Sequence, residues 1–353
     1  MKVIVTGGAG FIGSHIVDQL VAGGHEVIVI DDLDPAAHDG EPTGLADAAR
    51  YVWGDVRDPD LWDTTLNGVD AVCHQAAKVG LGVDFGDVEA YVGRNVAGTA
   101  AMLAALHRNR FAGRVVLASS MVVYGEGRYR CDVDGLVRPG PRRVSDLEQG
   151  LYDPLCPVCN GSLLAESVPE DHGLEPRNVY ATTKLAQEGL CNAFAREHAD
   201  AVVACLRYHN VYGPRMPRDT PYAGVASIFR SAYANGRVPL VMEDGGQLRD
   251  FVHVTDVARA NVIAMTTASP SSGAFNICSG IPHTVLEMAE ALRPSGSDPP
   301  AIVGGFRLGD IRHVFADPSR AQTVLGFRAS VPFEAGMREF STTMLRQARP
   351  RDR

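Results

Sequence analysis

The sequence lacks any uninterrupted apolar run of about 20 residues, the length that a helix needs to cross a membrane. It also lacks an excess of basic residues. The net charge of −9 and the pI of about 5.7 argue against a general nucleic-acid or membrane-surface binder. Cysteine is scarce: there are seven, an odd number, and four of them lie in apolar segments, which argues against a disulfide framework. No secretory signal pattern precedes the first strand. We expect a cytoplasmic protein without nucleic-acid or membrane partners.

The first 32 residues combine a strand, a glycine-rich loop, a helix and a second strand. Strands are predicted at Lys2–Thr6 and Glu26–Ile30, and apolar periodicity from Phe11 onward predicts the helix. The loop at 7–13 fits the spacings GxGxxG and GxxGxxG equally well, and either lets a pyrophosphate approach the backbone at a helix N-terminus. Asp31 follows the second strand, where a carboxylate binds ribose hydroxyls and repels a 2′-phosphate. The pattern predicts a dinucleotide site that favours NAD.

Three more strands are predicted at Arg50–Trp53, Asp70–His74 and Arg114–Ala118, with helical stretches between them. Strands that alternate with helices indicate an α/β fold with a parallel, doubly wound sheet of Rossmann type. Asp55, beyond the third strand, either faces the adenine or only forms a turn. Small residues at 75–77 after the fourth strand leave space for a cofactor.

Tyr180 and Lys184 are four residues apart in a helix predicted over Tyr180–His198, and they therefore share one face. A neighbouring cation lowers the pKa of a phenol from about 10, so that Tyr180 can act as a base. Ser120, after the fifth strand, can donate a hydrogen bond to the substrate oxygen from which Tyr180 takes the proton. Ser119 has a different role, as a capping or orienting residue. A Tyr-x-x-x-Lys pair alone is often a chance amphipathic pair. Downstream of a dinucleotide loop it predicts catalysis by hydride transfer.

These motifs continue in a fixed order along nearly the whole chain. They are the loop at 7–13, Asp31, His74–Ala77, Ser119–Gly125, Tyr180–Lys184, Asn210–Pro214, Arg249–Val254 and Arg307–Asp310. Together they resemble the extended short-chain dehydrogenase/reductase family, in its nucleotide-sugar epimerase and dehydratase branch. The resemblance implies tightly held NAD and a nucleoside-diphosphate sugar substrate. It also implies a homodimer in which the helices predicted at Asp87–Arg110 and Tyr180–His198 form a four-helix bundle.

The resemblance implies an NAD-binding Rossmann domain at 1–210 with 250–280, interrupted by an inserted segment at 126–178. It implies a smaller C-terminal α/β domain for the nucleotide sugar at 211–249 with 281–353. The implied cofactor contacts are Gly7, Gly10, Phe11, Ile12, Gly13, Asp31, Asp32, Asp55, Val56, Gln75, Ala76, Ala77, Asn95, Ser119, Tyr180 and Lys184. The implied substrate contacts are Lys78, Ser120, Met121, Tyr180, Asn210, Arg249, Arg307 and Asp310. Ser120, Tyr180 and Lys184 are the implied catalytic residues.

Within this branch, the segment after the serine separates the reactions. Dehydratases of the family carry Asp-Glu there, whereas this chain has Met121-Val122-Val123 and lacks a local proton carrier for elimination. The remaining residues suffice for 4-epimerisation through a transient 4-keto sugar. Several segments most resemble dTDP-L-rhamnose 4-epimerases, which form dTDP-6-deoxy-L-talose, and apolar Val79, Leu81 and Val83 suit a 6-methyl group or simply pack. A UDP-glucose or other UDP-sugar 4-epimerase, or a 4-dehydrogenase that releases the keto sugar, remains an alternative.

The segment at 126–178 shows no clear periodicity but carries three cysteines. Cys156-x-x-Cys159 resembles half of a zinc knuckle, and Cys131 offers a third thiolate. Asp134 and His172 are the two candidates for a fourth ligand. The segment therefore holds either a structural zinc ion or reduced loop cysteines.

Overall fold

The structure, a computed structural model, describes residues 1–35, 37–38, 42–80, 85–218, 224–307 and 309–346. Its strands are β1 (Lys2–Thr6), β2 (Glu26–Asp31), β3 (Arg50–Trp53), β4 (Ala71–His74), β5 (Arg114–Ser120), β6 (Arg128–Cys131), β7 (Gly135–Val137), β8 (Leu164–Glu166), β9 (Val202–Tyr208), β10 (Asn210–Tyr212), β11 (Leu240–Met242), β12 (Leu248–His253), β13 (Gly273–Ile277), β14 (Pro282–Thr284) and β15 (Ala301–Gly304). Its α-helices are α1 (Phe11–Ala22), α2 (Pro59–Thr65), α3 (Val88–Tyr91), α4 (Gly98–Arg108), α5 (Val144–Glu148), α6 (Val179–Glu197), α7 (Val225–Ala234), α8 (Val254–Thr266), α9 (Val285–Ala291) and α10 (Phe333–Thr342).

A parallel sheet of seven strands, in the order β13-β9-β5-β4-β1-β2-β3, is the centre of the molecule. Its central strands are continuous apolar runs because both of their faces are covered by helices. Helices α1 and α8 pack on one face through residues such as Ile16 and Val257. Helices α2, α4 and α6 pack on the other through residues such as Trp62 and Phe194. The predicted doubly wound Rossmann-type sheet is confirmed.

Smaller sheets lie beyond the carboxyl ends of these strands. Strands β10, β12 and β14 form one, and β11 pairs with β15 to form another. A separate core gathers Phe229, Met288, Phe340 and their neighbours under α7, α9 and α10. The predicted division into an NAD-binding and a sugar-binding domain stays a prediction, and these separate sheets and cores favour it. Among the described residues, no helix combines the length and apolarity that crossing a membrane requires.

Two local features differ from the sequence-based expectation. The stretch predicted as one helix over Asp87–Arg110 consists of a 3₁₀ turn at Phe85–Asp87, α3, a π-helical turn at Val92–Ala97 and α4. The segment at 126–178, which has no clear periodicity, contains the antiparallel sheet β7-β6-β8 and the short helix α5. Strands of three or four residues are too short for their alternation to be recognised.

A buried ion pair joins α6 to the central sheet. Glu188 accepts two hydrogen bonds from the Arg207 guanidinium, at 2.8 and 2.9 Å, and both side chains are almost fully buried. Arg207 also donates to the Tyr124 hydroxyl at 2.9 Å, and Glu188 accepts a short hydrogen bond from Ser119. The pair therefore fixes the helix against the ends of β5 and β9.

We expect Glu188→Ala to lower the free energy of unfolding by about 3–5 kcal/mol, because it leaves the Arg207 charge buried without a partner. Urea denaturation followed by circular dichroism measures the change. Glu197→Ala, at the exposed end of the same helix, is the matched control and should change the free energy by about 0.5 kcal/mol or less. Equal effects of the two substitutions would contradict this account of the pair.

Candidate active site

A cavity of about 730 Å³ lies at the carboxyl ends of the central strands. Its walls come from the residues that follow β1, β2, β4 and β5 and from the smaller sheets beyond them. Ligands bind at this edge of open α/β sheets because the loops that leave the strand ends diverge there. Of the residues predicted for the cofactor, the catalytic step and the substrate, all line the cavity except Asn95.

The glycine loop between β1 and α1 forms one wall of the cavity. Gly7 has φ +64°, and a Cβ on Gly13 would lie 2.1 Å from the Gly7 carbonyl oxygen. No side chain caps the start of α1 at Gly10, so that the first N–H groups of the helix are available to a ligand. The loop therefore fits the pyrophosphate of a dinucleotide.

Asp31 lies where β2 ends, beside this loop. Its carboxylate accepts hydrogen bonds from the backbone N–H groups of Ala9, at 3.0 Å, and Leu33, at 2.9 Å. Burial raises the pKa of Asp31, and those N–H groups and His38 act against the rise. The carboxylate thus ties the glycine loop to the strand end and faces the cavity, as a site for ribose hydroxyls requires.

Sequence reasoning missed two residues near this carboxylate. The His38 imidazole lies 3.6 Å from Asp31. Arg94 bridges Asp32 and Asp34 at 3.0 and 2.8 Å, and it lines the cavity. His38 follows a stretch without periodicity, so no pattern pointed to it, and Arg94 belongs to the π-helical turn that was predicted as ordinary helix.

Ser120, Tyr180 and Lys184 meet on the next wall. Asn178 caps α6 by accepting from the Ala181 N–H at 2.8 Å, which sets where the helix begins and so where Tyr180 points. The Lys184 ammonium donates to the Ala118 carbonyl at 2.8 Å and lies 5.8 Å from the centre of the Tyr180 ring. Ser120, at the end of β5, is close enough to the Tyr180 phenol to act on its pKa, and its hydroxyl accepts a hydrogen bond from the Val122 N–H at 3.4 Å.

The pKa of the Tyr180 phenol differs from the sequence-based expectation. Burial raises the pKa of Tyr180 to about 12, against a lowering by its hydrogen bond with Ser120. Burial lowers the pKa of Lys184 to about 8, and Glu188 opposes that change. The pKa of Tyr180 is therefore raised and not lowered as predicted, because burial of the phenol is the dominant cause.

The predicted substrate residues Asn210, Arg249, Arg307 and Asp310 also line the cavity. The Arg249 guanidinium donates to the backbone carbonyls of Leu248, Ile311 and Arg312 at 2.5 to 2.8 Å, and this fixes its orientation. Burial raises the pKa of Asp310, which Arg307 counteracts. The side-chain oxygen of Asn210 is buried without a hydrogen-bond partner in the structure, and Asn210 also lines the cavity. The oriented guanidinium fits an anionic group of a ligand, and the unpaired amide oxygen of Asn210 fits a hydrogen-bond donor such as a hydroxyl.

Asn95 does not line the cavity but holds its wall from behind. Its amide accepts from the Lys78 N–H at 2.8 Å and donates to the Lys78 carbonyl at 3.0 Å and the Thr183 hydroxyl at 2.9 Å. The side chain is fully buried. Asn95 therefore supports the wall between the β4 end and α6, and its expected contact with the cofactor stays a prediction.

The cysteines of the segment at 126–178 lie together. The ligand atoms of Cys131, Asp134, Cys156 and Cys159 are all within 4.8 Å of one another. His172, the other candidate for a fourth ligand, instead contacts the Arg138 guanidinium at 3.2 Å. Of the two candidates for a fourth ligand, Asp134 and not His172 lies beside the three thiols.

Comparisons with known proteins agree with this arrangement. The sequence profile described as the NAD dependent epimerase/dehydratase family matches residues 3–142 and 159–278. The chain belongs to this family. It is similar to the dTDP-L-rhamnose 4-epimerase of Burkholderia thailandensis, with 33% identity over 97% of this chain and 94% of that protein. It is also similar to the UDP-glucose 4-epimerase of Halalkalibacterium halodurans, with 30% identity over 94% of this chain and 92% of that protein.

Solved structures of the epimerase/dehydratase family have the same fold. The UDP-glucose 4-epimerase of Thermus thermophilus in complex with NAD superposes with a TM-score of 0.75 at 28% identity, covering 97% of this chain and 98% of that one. The dTDP-glucose 4,6-dehydratase DesIV of Streptomyces venezuelae, with NAD bound, gives a TM-score of 0.75 at 27% identity, covering 97% and 96% of the two chains. The predicted membership of the NAD-dependent nucleotide-sugar epimerases is confirmed.

We expect Gly13→Ala to reduce the NAD that is retained on purification, because its new Cβ would have to displace the Gly7 backbone. Nucleotide released from the denatured protein, separated and quantified by chromatography, measures the loss. Gly140→Ala, at an exposed position outside the cavity lining, is the matched control, since its Cβ meets open space. The control should retain the cofactor and gain up to about 1 kcal/mol of stability. Full retention of NAD by Gly13→Ala would contradict the placement of the pyrophosphate.

Proposed function

We propose that the protein interconverts two nucleoside-diphosphate sugars that differ at C4, with NAD as a resident cofactor and a transient 4-keto sugar. The observation that carries the proposal is the meeting of Ser120, Tyr180 and Lys184 on one wall of the cavity that also contains the glycine loop. The best candidate substrate is dTDP-L-rhamnose, with dTDP-6-deoxy-L-talose as the product.

Three side chains share the proton chemistry. Tyr180, as the phenolate, takes the proton of the sugar C4 hydroxyl and later returns it. Ser120 donates a hydrogen bond to the same oxygen, where negative charge develops. Lys184, held by the Ala118 carbonyl, places its ammonium close enough to stabilise the phenolate. NAD⁺, when bound, supplies the group that accepts the hydride from C4 and later returns it. Its positive charge favours the ionised phenol.

The wall beyond Ser120 favours epimerisation over dehydration. Met121 and Val122 line the cavity in the segment where dehydratases of the family carry Asp-Glu. The nearby carboxylate of Glu126 is buried and already accepts hydrogen bonds from the Tyr129 hydroxyl and the Arg312 N–H. A 4-keto sugar formed here therefore meets no titratable side chain from this segment that could expel water from it.

The choice of sugar rests on similarity to known epimerases and on one apolar residue in the cavity wall. The relative from Burkholderia thailandensis is a dTDP-L-rhamnose 4-epimerase, and UDP-glucose 4-epimerases match at nearly the same identity. Val79 lines the cavity with about half of its surface exposed, which suits a 6-methyl group. Leu81 and Val83, which were also expected to suit a 6-methyl group, lie outside the described residues.

We further propose that the protein forms a homodimer through α4 and α6. Ala97, Ala100 and Ala104 are exposed along the first helix, and Gly189 and Ala193 are exposed along the second. Small side chains on two neighbouring helices permit the close approach of a second pair of helices. The two helices are joined within one chain by the hydrogen bond from Gln187 to Thr99, at 2.6 Å.

The test is incubation with dTDP-L-rhamnose and, separately, with UDP-glucose, followed by NMR of the products. We expect a C4 diastereomer from dTDP-L-rhamnose and little product from UDP-glucose. NADH absorbance should not accumulate, whereas stoichiometric NADH would favour the 4-dehydrogenase. A C4 diastereomer from UDP-glucose alone would move the proposal to the UDP-sugar epimerases. The absence of a new diastereomer from both sugars would contradict both assignments.

We expect Tyr180→Phe to lower the rate by about 10²–10⁴-fold, because the phenol is the proton carrier. The variant should keep its NAD, since its ring remains in place. Tyr51→Phe is the matched control: its hydroxyl contacts the Ala46 carbonyl, away from the cavity-lining residues, and activity should be unchanged. A Tyr180→Phe enzyme as active as its parent would show that another residue carries the proton.

A further inference from the structure

We propose that Cys131, Asp134, Cys156 and Cys159 bind one structural zinc ion, which fastens the segment at 126–178 over the nucleotide-sugar end of the cavity. None of the relatives described above is named for a metal. The cysteines that the epimerisation chemistry does not use thus acquire a role in holding the fold, and the reaction needs no step at the metal.

The four side chains already have the spacing of a tetrahedral site. The Cys131 sulfur lies 3.4 Å from the Cys159 sulfur and 3.4 Å from the Asp134 carboxylate, and the Cys156 sulfur lies 3.2 Å from the same carboxylate. Zinc–sulfur bonds of about 2.3 Å place two thiolates of a tetrahedral site about 3.8 Å apart. A disulfide needs sulfurs about 2.0 Å apart, so the observed contacts correspond to thiols gathered around a centre.

The backbone around Cys156 has the tight turn that this grouping requires. The Cys156 N–H donates to the Gly161 carbonyl at 2.8 Å, and the Asn160 N–H donates to the Cys156 carbonyl at 2.9 Å. Asn160 has φ +58°, a left-handed conformation that reverses the chain directly after Cys159. The other two ligands lie on a second turn, at the end of β6 and just before β7. Two turns, each contributing two ligands, close the site.

The donor set favours zinc over other divalent ions. Three thiolates exclude Mg²⁺ and Ca²⁺, which prefer oxygen ligands. A carboxylate oxygen is an accepted zinc ligand, and four protein ligands leave no open position for catalysis. Cys131 and Cys156 are buried, whereas Asp134 and Cys159 are exposed, so an ion can enter from the solvent side. The set is therefore that of a closed structural site.

The chain between the two ligand pairs reaches the active-site cavity. Arg142 donates to the Asp310 carbonyl at 2.9 Å and pairs with the buried Glu243 at 2.8 Å. Asp153 pairs with Arg312 at 2.7 Å, and Arg312 also pairs with Glu243 at 2.9 Å. Glu243 and Asp310 both line the cavity. A metal that joins residues 131 and 134 to 156 and 159 holds Arg142 and Asp153 against this end of the site.

The family profile leaves this connection unmatched. Its two matched ranges, 3–142 and 159–278, omit residues 143–158, which include Asp153 and Cys156. The segment that completes the cysteine cluster is therefore an addition to the shared fold. Because the ligands lie on separated turns, removing the ion frees the intervening chain and raises the entropic cost of docking it.

The test measures metal in the full-length protein, purified in reducing buffer without chelator and without a histidine tag. We expect one zinc ion per chain by elemental analysis, and visible absorption typical of tetrahedral cobalt thiolates after exchange with Co²⁺. Cys156→Ser should lose the metal, and trypsin should then cleave faster after the exposed Arg143. Zinc absent from the parent protein even after incubation with zinc salt, or zinc retained equally by Cys156→Ser, would overturn the proposal.

Two further variants distinguish metal binding from general damage to the fold. Asp134→His should keep zinc, since it creates an accepted three-cysteine, one-histidine set, whereas Asp134→Ala should weaken its retention. Cys278→Ala, a buried cysteine outside the cluster, is the matched control and should keep full metal content. Loss of zinc from the control alone would overturn the assignment of ligands.

Kinetic measurements test whether the zinc site affects the cavity, and this test rests on the proposed function. Loss of zinc in Cys156→Ser should raise KM for the nucleotide sugar more than it lowers kcat, while bound NAD is unchanged. Metal content, cobalt absorption and proteolysis do not depend on turnover, so the two proposals fail separately. A fall in kcat alone, with KM unchanged, would contradict the link between the metal and the substrate end.

Discussion

The parallel alignment of the central strands is the constraint on which the site depends. Since β1, β2, β4 and β5 run in the same direction, their carboxyl ends deliver the glycine loop, Asp31, Gln75 and Ser120 to one edge. The chain can then enclose a ligand with loops, while the apolar faces of the sheet remain covered by helices. The close approach of the Gly7 backbone to Ala76 shows how tightly these strand ends pack, because a Cβ at Gly7 would lie 2.7 Å from the Ala76 nitrogen.

Polar groups behind the cavity are arranged to support the ones that face it. Ser119 donates a hydrogen bond to Glu188, which is held in turn by Arg207. Lys184 is one helical turn from Glu188, and that carboxylate opposes the lowering of the lysine pKa by burial. The chain has a net negative charge, and backbone carbonyls or carboxylates hold the guanidinium groups of Arg142, Arg249 and Arg312 near the Asp310 end of the cavity. Of the arginines at this end, Arg249 and Arg307 line the cavity, and their local placement, not the total charge, favours an anionic ligand there.

Much of this arrangement could be predicted from local pattern. Short sequence motifs predict the range of β3, the range of α6 to within one residue at each end, and the cavity-lining residues of the glycine loop and of the Ser120, Tyr180 and Lys184 wall. The sheet β7-β6-β8 could not be predicted, because its strands pair residues as distant as Arg128 and Glu166. The direction of the Tyr180 pKa depends on how many protein atoms surround the phenol, which spacing along a helix does not reveal. The buried position of the Asn95 side chain could not be predicted either, because Asn95 lies in the π-helical turn that was predicted as ordinary helix.

That turn has a mechanical consequence. By bonding to both backbone groups of Lys78 and to Thr183, the Asn95 amide locks the loop after β4 to the helix that carries Tyr180, so those two sides of the cavity move as one body. Under the proposed epimerisation, a 4-keto sugar must present first one face and then the other of its C4 carbonyl to the nicotinamide, and this side of the cavity is held too firmly to move aside for it. The room for that reorientation is then expected from other parts of the cavity wall, such as those at Val225 and Arg307, and differences between related enzymes in tolerance for bulkier sugars should be sought there.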